Sequence, residues 1–140
     1  EAGNHGEFSP QMGIGSSPDL LALLDITEEE FRLRFRGSPV KRTKRDGIRR
    51  NAAIALGNSG DMTAVPALIR ALNDDSPVVR GHSAWALGRL GGAESRDALL
   101  ARLGEEEDVW VREEITFALD DLVPGNIPVS AIYNHSSGSI

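Results

Sequence analysis

Between residues 19 and 122 the apolar positions recur at the spacing of amphipathic helices, and Gly, Pro, Ser and Asp punctuate them. Asp19 precedes LLALLDI, in which Leu20, Leu23 and Leu24 share one face, so a short helix capped by Asp19 is predicted. Thr27-Glu28-Glu29-Glu30 fits a capping box, with Thr27 as N-cap and Glu30 at the third helical position. A helix from about 28 to 36 follows, placing Phe31 and Phe35 inward and Arg32 and Arg36 outward. Gly37 is placed to end it, and Ser38-Pro39 reads as the N-cap and first position of the next helix, a terminus suited to anions. After a basic turn, a helix over 46–57 is predicted, closed by Gly57-Asn58-Ser59-Gly60. Asp61 or Thr63 then opens AVPALIRAL, which stops near Asn73-Asp74.

From here the pattern repeats. Superposing GIRRNAAIALG on VRGHSAWALG matches Arg49 with Arg80, Ala53 with Ala84 and Leu56 with Leu87 at an offset of 31 residues. A third copy, WVREEITFAL, puts Arg112 and Leu119 a further 32 residues on. The intervening stretches AVPALIRAL and SRDALLARL align Leu68 with Leu99, again at 31. Each unit is a helix pair, with small residues where helices approach and Leu, Ile or Val where they interlock. Ser76-Pro77 opens one first helix, Gly91-Gly92 closes it, and Asp108 opens the next. The period and the VR–A–AL–G pattern over about residues 46–122 resemble HEAT-like repeats, the short variety also seen in phycobilin lyases. That resemblance implies an all-α fold, a right-handed α-solenoid of HEAT-like helix pairs. The expected layout is a flexible arm over 1–18, a repeat domain over 19–123 with capping helices at 19–36, and a poorly ordered tail over 124–140.

Composition narrows the chemistry. The 140 residues suit one domain, and the absence of cysteine removes disulfides and the thiolates that iron–sulfur or structural zinc sites need. No apolar run approaches the roughly 18 residues of a membrane span, and EAGNHGEFSP has neither the basic nor the apolar part of a signal peptide, so a cytoplasmic monomer without a membrane partner is expected. The first residue is Glu rather than Met, so the chain is expected to be a piece of something longer. The formal charge of −6 conceals an asymmetry: residues 31–50 carry nine Arg or Lys against one Asp, giving +8, while residues 51–140 carry six Arg against thirteen acids, giving −7. Local charge, not net charge, speaks to partners. The acids that would neutralise the basic stretch at i,i+4 are nearly missing, which favours a polyanion over a solvated helix face.

The segment FRGSPVKRTKRDGIRRNAAIALGN is more particular than the repeat pattern. Phe35, Gly37, Ser38, Pro39, Arg42, Gly47, Arg50, Asn51, Ala55, Leu56, Gly57 and Asn58 fill a FxGSPxxRxxxxGxxRNxAxALGN pattern, which resembles the C-terminal region of bacterial epoxyqueuosine reductases. RGHSAWALGRLGG, residues 80–92, matches the next repeat of that family. The resemblance implies a parent oxidoreductase with a cobalamin-binding catalytic region and two four-iron clusters, which reduces epoxyqueuosine to queuosine at the wobble position of certain tRNAs. This chain has no cluster cysteine and no cobalamin region, so by itself it is expected to catalyse nothing and to need no cofactor. Its expected partners are tRNA and the catalytic region of its own parent chain.

Candidate tRNA contacts are Arg36, Ser38, Lys41, Arg42, Lys44, Arg45, Arg49, Arg50, Asn51, Arg80 and His82. The stretch from Arg36 to Asn51 is expected to face outward and touch phosphates, which position an RNA without reading its sequence. Asn51 and His82 stand at equivalent positions one repeat apart. The once-per-unit arginines have a second reading, a ladder in which each guanidinium bonds carbonyls or acids of an adjacent loop; Arg112 is assigned to that ladder, and Asp74, Asp75 and Asp108 stand near enough to serve it. Trp85 is expected in the core, while Trp110 is open between stacking on a base and covering the core's end. His5, His82 and His135 lie too far apart for a metal site, Glu105-Glu106-Glu107-Asp108 reads as a solvated loop, and QMGIGSS has neither the spacing nor the preceding strand of a phosphate loop. The rival to RNA docking is a scaffold for a protein partner, served by the acidic later repeats. An enzyme related to phycobilin lyases is set aside, because no pigment-handling residues can be identified.

Overall fold

The computed structural model describes residues 17–36 and 42–122, and all regular structure among them is helical. In chain order the helices are α1 (Ser17–Leu24), α2 (Glu28–Arg34), α3 (Arg42–Ser59), α4 (Val65–Leu72), α5 (Pro77–Leu90), α6 (Ala93–Leu103) and α7 (Val109–Leu122), with a 3₁₀ turn, Met62–Ala64, leading into α4. They form two layers. The first helices α3, α5 and α7 pack side by side, and α1, α4 and α6 pack beneath α3, α5 and α7 respectively. The result is an α-solenoid.

Local chemistry accounts for most boundaries. Thr27 and Glu30 close the expected capping box, each bonding the other's backbone N–H at 3.0 and 2.9 Å. Asp61 caps the 3₁₀ turn, Ser76 caps α5 through the Val79 N–H with Pro77 at the first helical position, and Asp108 holds the Val111 N–H at 3.0 Å. Gly91 and Gly92 end α5 at φ of 79° and 98°, a region that other residues enter only under strain.

Two boundaries differ from the sequence pattern. Helix α1 begins at Ser17, which puts Asp19 in its first turn rather than at the cap. More consequentially, α3 spans 18 residues and takes in the expected basic turn. Lys and Arg are good helix formers, and no breaker stands between Arg42 and Asp46. Moreover Arg45 and Arg49, one turn apart, both reach the end of α1: Arg45 Nε donates to the Ile26 carbonyl at 3.0 Å and Arg49 Nε to the Leu24 carbonyl at 2.8 Å. They serve carbonyls that the end of α1 leaves without a helical partner.

The layers enclose one continuous core in which Leu24, Leu56, Leu68, Leu72, Leu87, Leu99, Ile115 and Leu119 are fully buried. First helices meet at repeat-equivalent glycines. A Cβ on Gly57 would stand 2.9 Å from the Ala86 Cα, and one on Gly88 would stand 2.7 Å from the Ala118 Cβ, so only glycine lets these backbones approach so closely.

Candidate nucleic-acid interface

The once-per-repeat arginines are scaffold. Arg49 is 5 % exposed; besides the Leu24 carbonyl it holds Asp74 Oδ1 at 2.9 Å. Arg80 forms a two-pronged pair with Glu106 at 2.8 Å on each arm, and its Nη1 donates to the Asp74 and Asp75 carbonyls. Arg112 Nη1 donates to the Leu103 and Glu106 carbonyls at 2.9 and 2.8 Å. Each of the two acids also orders the next helix start, since Asp74 accepts from the Ser76 N–H and Glu106 from the Asp108 N–H. The expectation that Arg49 faces outward is thus corrected: its side chain closes the seam between α1, α3 and the loop before α5. Arg80 is likewise turned into the loop beside it.

The acidic loop needs correcting too. Glu106 is not solvated; its side chain is fully buried, and Arg102 adds a third bond at 3.0 Å. Burial alone would raise its pKa, but the hydrogen bonds from Arg80, the Asp108 N–H and Arg102 outweigh that and hold it at about 2. Asp74 follows the same logic. Its burial is outweighed by Arg49, the Ser76 N–H and the charges of Arg49 and Arg45, so it lies below the ordinary carboxylate value. Sequence reasoning missed Glu106, although an alignment at the offset of 32 places it on Asp74. The extra residue of that interval lies between the end of α6 and the acid, so acid and N-cap stay two residues apart in both loops.

Other candidates divide. Arg36 and Lys44 are exposed, and no acidic partner is recorded for either among the described residues. Asn51 is exposed and accepts from Arg50 Nε at 3.1 Å, while Arg45 keeps one edge on Ile26. Arg42 opens α3; Ser38 and Lys41 lie outside the described residues. His82, half-buried on α5, donates from Nδ1 to the Val78 carbonyl at 2.9 Å and packs its ring 5.2 Å from Trp110. Trp85 is half-buried over Gly57 with the Arg89 guanidinium 5.8 Å from its ring centre, and Trp110 covers Gly81 while staying 37 % exposed. The structure therefore brings Arg36, Lys44, Arg45, Arg50 and Asn51 to the α2–α3 end and separates them from the arginine ladder. Among the described residues no three His, Asp or Glu side chains are grouped to hold a metal, and the chain has no cysteine. The cobalamin and clusters implied by the family resemblance do not fit these residues, and no step is derived through them. No described helix is long and apolar enough to cross a membrane.

Paired helices, small residues at the crossings and an arginine ladder through the loops define a helical-repeat scaffold, and a family model described as HEAT repeats matches residues 41–120. The chain belongs to the HEAT-repeat family. Its named relatives are more specific: it is 38 % identical over 113 residues to the epoxyqueuosine reductase of Listeria monocytogenes, covering 80 % of this chain and 30 % of that protein. A Geobacillus stearothermophilus protein, described as an uncharacterized protein in the gldA 3' region, is 37 % identical over 119 residues, 84 % of this chain and 55 % of its own length. The fold also superposes, with a TM-score of 0.67 and 33 % identity, on an epoxyqueuosine reductase solved with an epoxyqueuosine-modified tRNA-Tyr stem loop, covering 74 % of this chain and 28 % of that one. The chain thus spans 55 % of one relative and about a third or less of the named reductases.

Proposed function

We propose that this chain is the C-terminal tRNA-docking domain of an epoxyqueuosine reductase, whose full-length form reduces epoxyqueuosine to queuosine at the tRNA wobble position. The observation that carries the reading is the sorting of cations by the fold. Arg49, Arg80 and Arg102 are matched to acids inside the repeats, whereas Arg36 and Lys44 at the α2–α3 end are left to solvent. Phosphates are the natural partners of such a surface, and the tRNA stem loop in the similar reductase is a ligand of that class. Lys41 and Arg42 extend the cationic run along the sequence, and Ser38, Arg50 and Asn51 add polar contacts beside it.

The test is titration of the chain with a tRNA-Tyr stem loop at several salt concentrations. Five or six phosphate contacts give a log K against log salt slope of about −4 to −5. Changing Lys41, Arg42 and Lys44 together to Ala is expected to flatten that slope by about 2 to 3, while Arg49→Ala lowers the melting temperature and leaves the slope unchanged. Equal binding by wild type and the Lys41/Arg42/Lys44 variant overturns the docking reading. A protein-scaffold reading has one observation in its favour. Val109 and Phe117, 71 % and 62 % exposed, flank an open groove of about 300 Å³ on α7 together with Arg112, Glu113 and Thr116.

A further inference from the structure

The distribution of unpaired charge also gives the RNA a direction. Helix α2 is anchored by buried Phe31, whose ring lies 4.6 Å from that of Phe35, and it carries Arg32 and Arg34 on its exposed positions. Arg32 stands four residues after Glu28, and Arg34 four after Glu30, the spacing at which helical ion pairs form. Neither pair is made: Glu30 is engaged at the Thr27 cap, and among the described residues no hydrogen bond or ion pair is recorded for Arg32 or Arg34. In contrast Arg49, Arg70, Arg80 and Arg102 all meet carboxylates within 3.1 Å.

On the other side of α3 the charge reverses. The repeat-equivalent positions 51, 82 and 114 are Asn, His and Glu, and α7 adds exposed Glu113 and Asp121. A polyanion seated at the start of α3 gains by extending toward α2 and is repelled if it extends toward α7, and at about 0.1 M salt these fields reach roughly 10 Å. Resting on the docking reading above, we propose that Arg32 and Arg34 join Arg36 in contacting phosphates. The RNA backbone then runs from the start of α3 across α2 and off that end of the solenoid, not along the row of first helices.

The test uses the same stem loop and the whole chain. Arg32→Ala combined with Arg34→Ala is expected to flatten the salt slope by between about 1 and 2, and the paired Arg→Lys changes to restore it, because a phosphate contact needs only the charge. A photo-crosslinking residue at exposed Leu33 is expected to capture the RNA, and the same residue at Phe117 to capture none. This readout does not depend on how well the alanine variant folds. An unchanged slope or capture at Phe117 alone, with the Lys41/Arg42/Lys44 variant still impaired, overturns the proposed path and leaves docking intact. If that variant is unimpaired as well, docking itself fails and the path with it.

Discussion

Glu106 shows how much one side chain can decide. It joins Arg80 and Arg102 to the start of α7, and its carboxyl is held at about 2 in the fold against an ordinary value of 4.5. A group whose folded pKa is depressed stabilises the fold fully above its unfolded value and loses that contribution as pH falls through the folded one. Glu106 should therefore lend up to about 3 kcal/mol near neutrality, lost between about pH 4.5 and 2, with Asp74 acting in the same direction. Urea unfolding followed from pH 7 to 2.5 should show this decline, and Glu106→Gln should flatten it while lowering stability at pH 7 by about 2 to 4 kcal/mol. A Glu106→Gln variant that declines with acid as steeply as wild type would refute the assignment. This residue was poorly legible in the sequence. Four consecutive acids look solvated, and the arginine that removes Glu106 from water stands 26 positions away. Arg49 was misread for the related reason that burial of a charge depends on where its partner folds.

At the scale of elements the sequence was more informative, because helix ends are written in local chemistry. Thr27 with Glu30, Ser76 with Pro77, Gly91-Gly92 and Asp108 all act where they stand, and no long-range contact is needed to recognise them. The start of α3 escaped because its extension rests on Arg45 and Arg49 reaching the end of α1, a tertiary contact. Gly57 was legible as a marker but read for the wrong job. It lies inside α3, not at its end, and makes room for Ala86, as Gly88 does for Ala118. Gly88→Ala should therefore destabilise the chain by about 1 to 3 kcal/mol in denaturant unfolding, although alanine is the better helix former. A stabilised Gly88→Ala protein would contradict the close crossing of α5 and α7.

For the whole molecule, stability follows neighbours. Helix α5 packs against α3, α4, α6 and α7, whereas α2 meets the body only lightly, along α3. Native-state hydrogen exchange should accordingly rank α5 slowest and α2 fastest among the helices, and equal protection of the two would contradict this layering. The period of 31 and 32 residues made the architecture readable before any coordinates, since a repeat states its own packing several times. What it could not state was which charges the packing would consume. The arginine ladder has a consequence beyond cohesion. Since Arg49 and Arg80 each bring a carboxylate from the loop ahead, such a pair could be added to the stack or removed with little change in its electrostatic appearance to a partner. The array's length and its taste in ligands are then separate variables: one is free to drift by whole units, while the other is written in a few side chains near the start of α3.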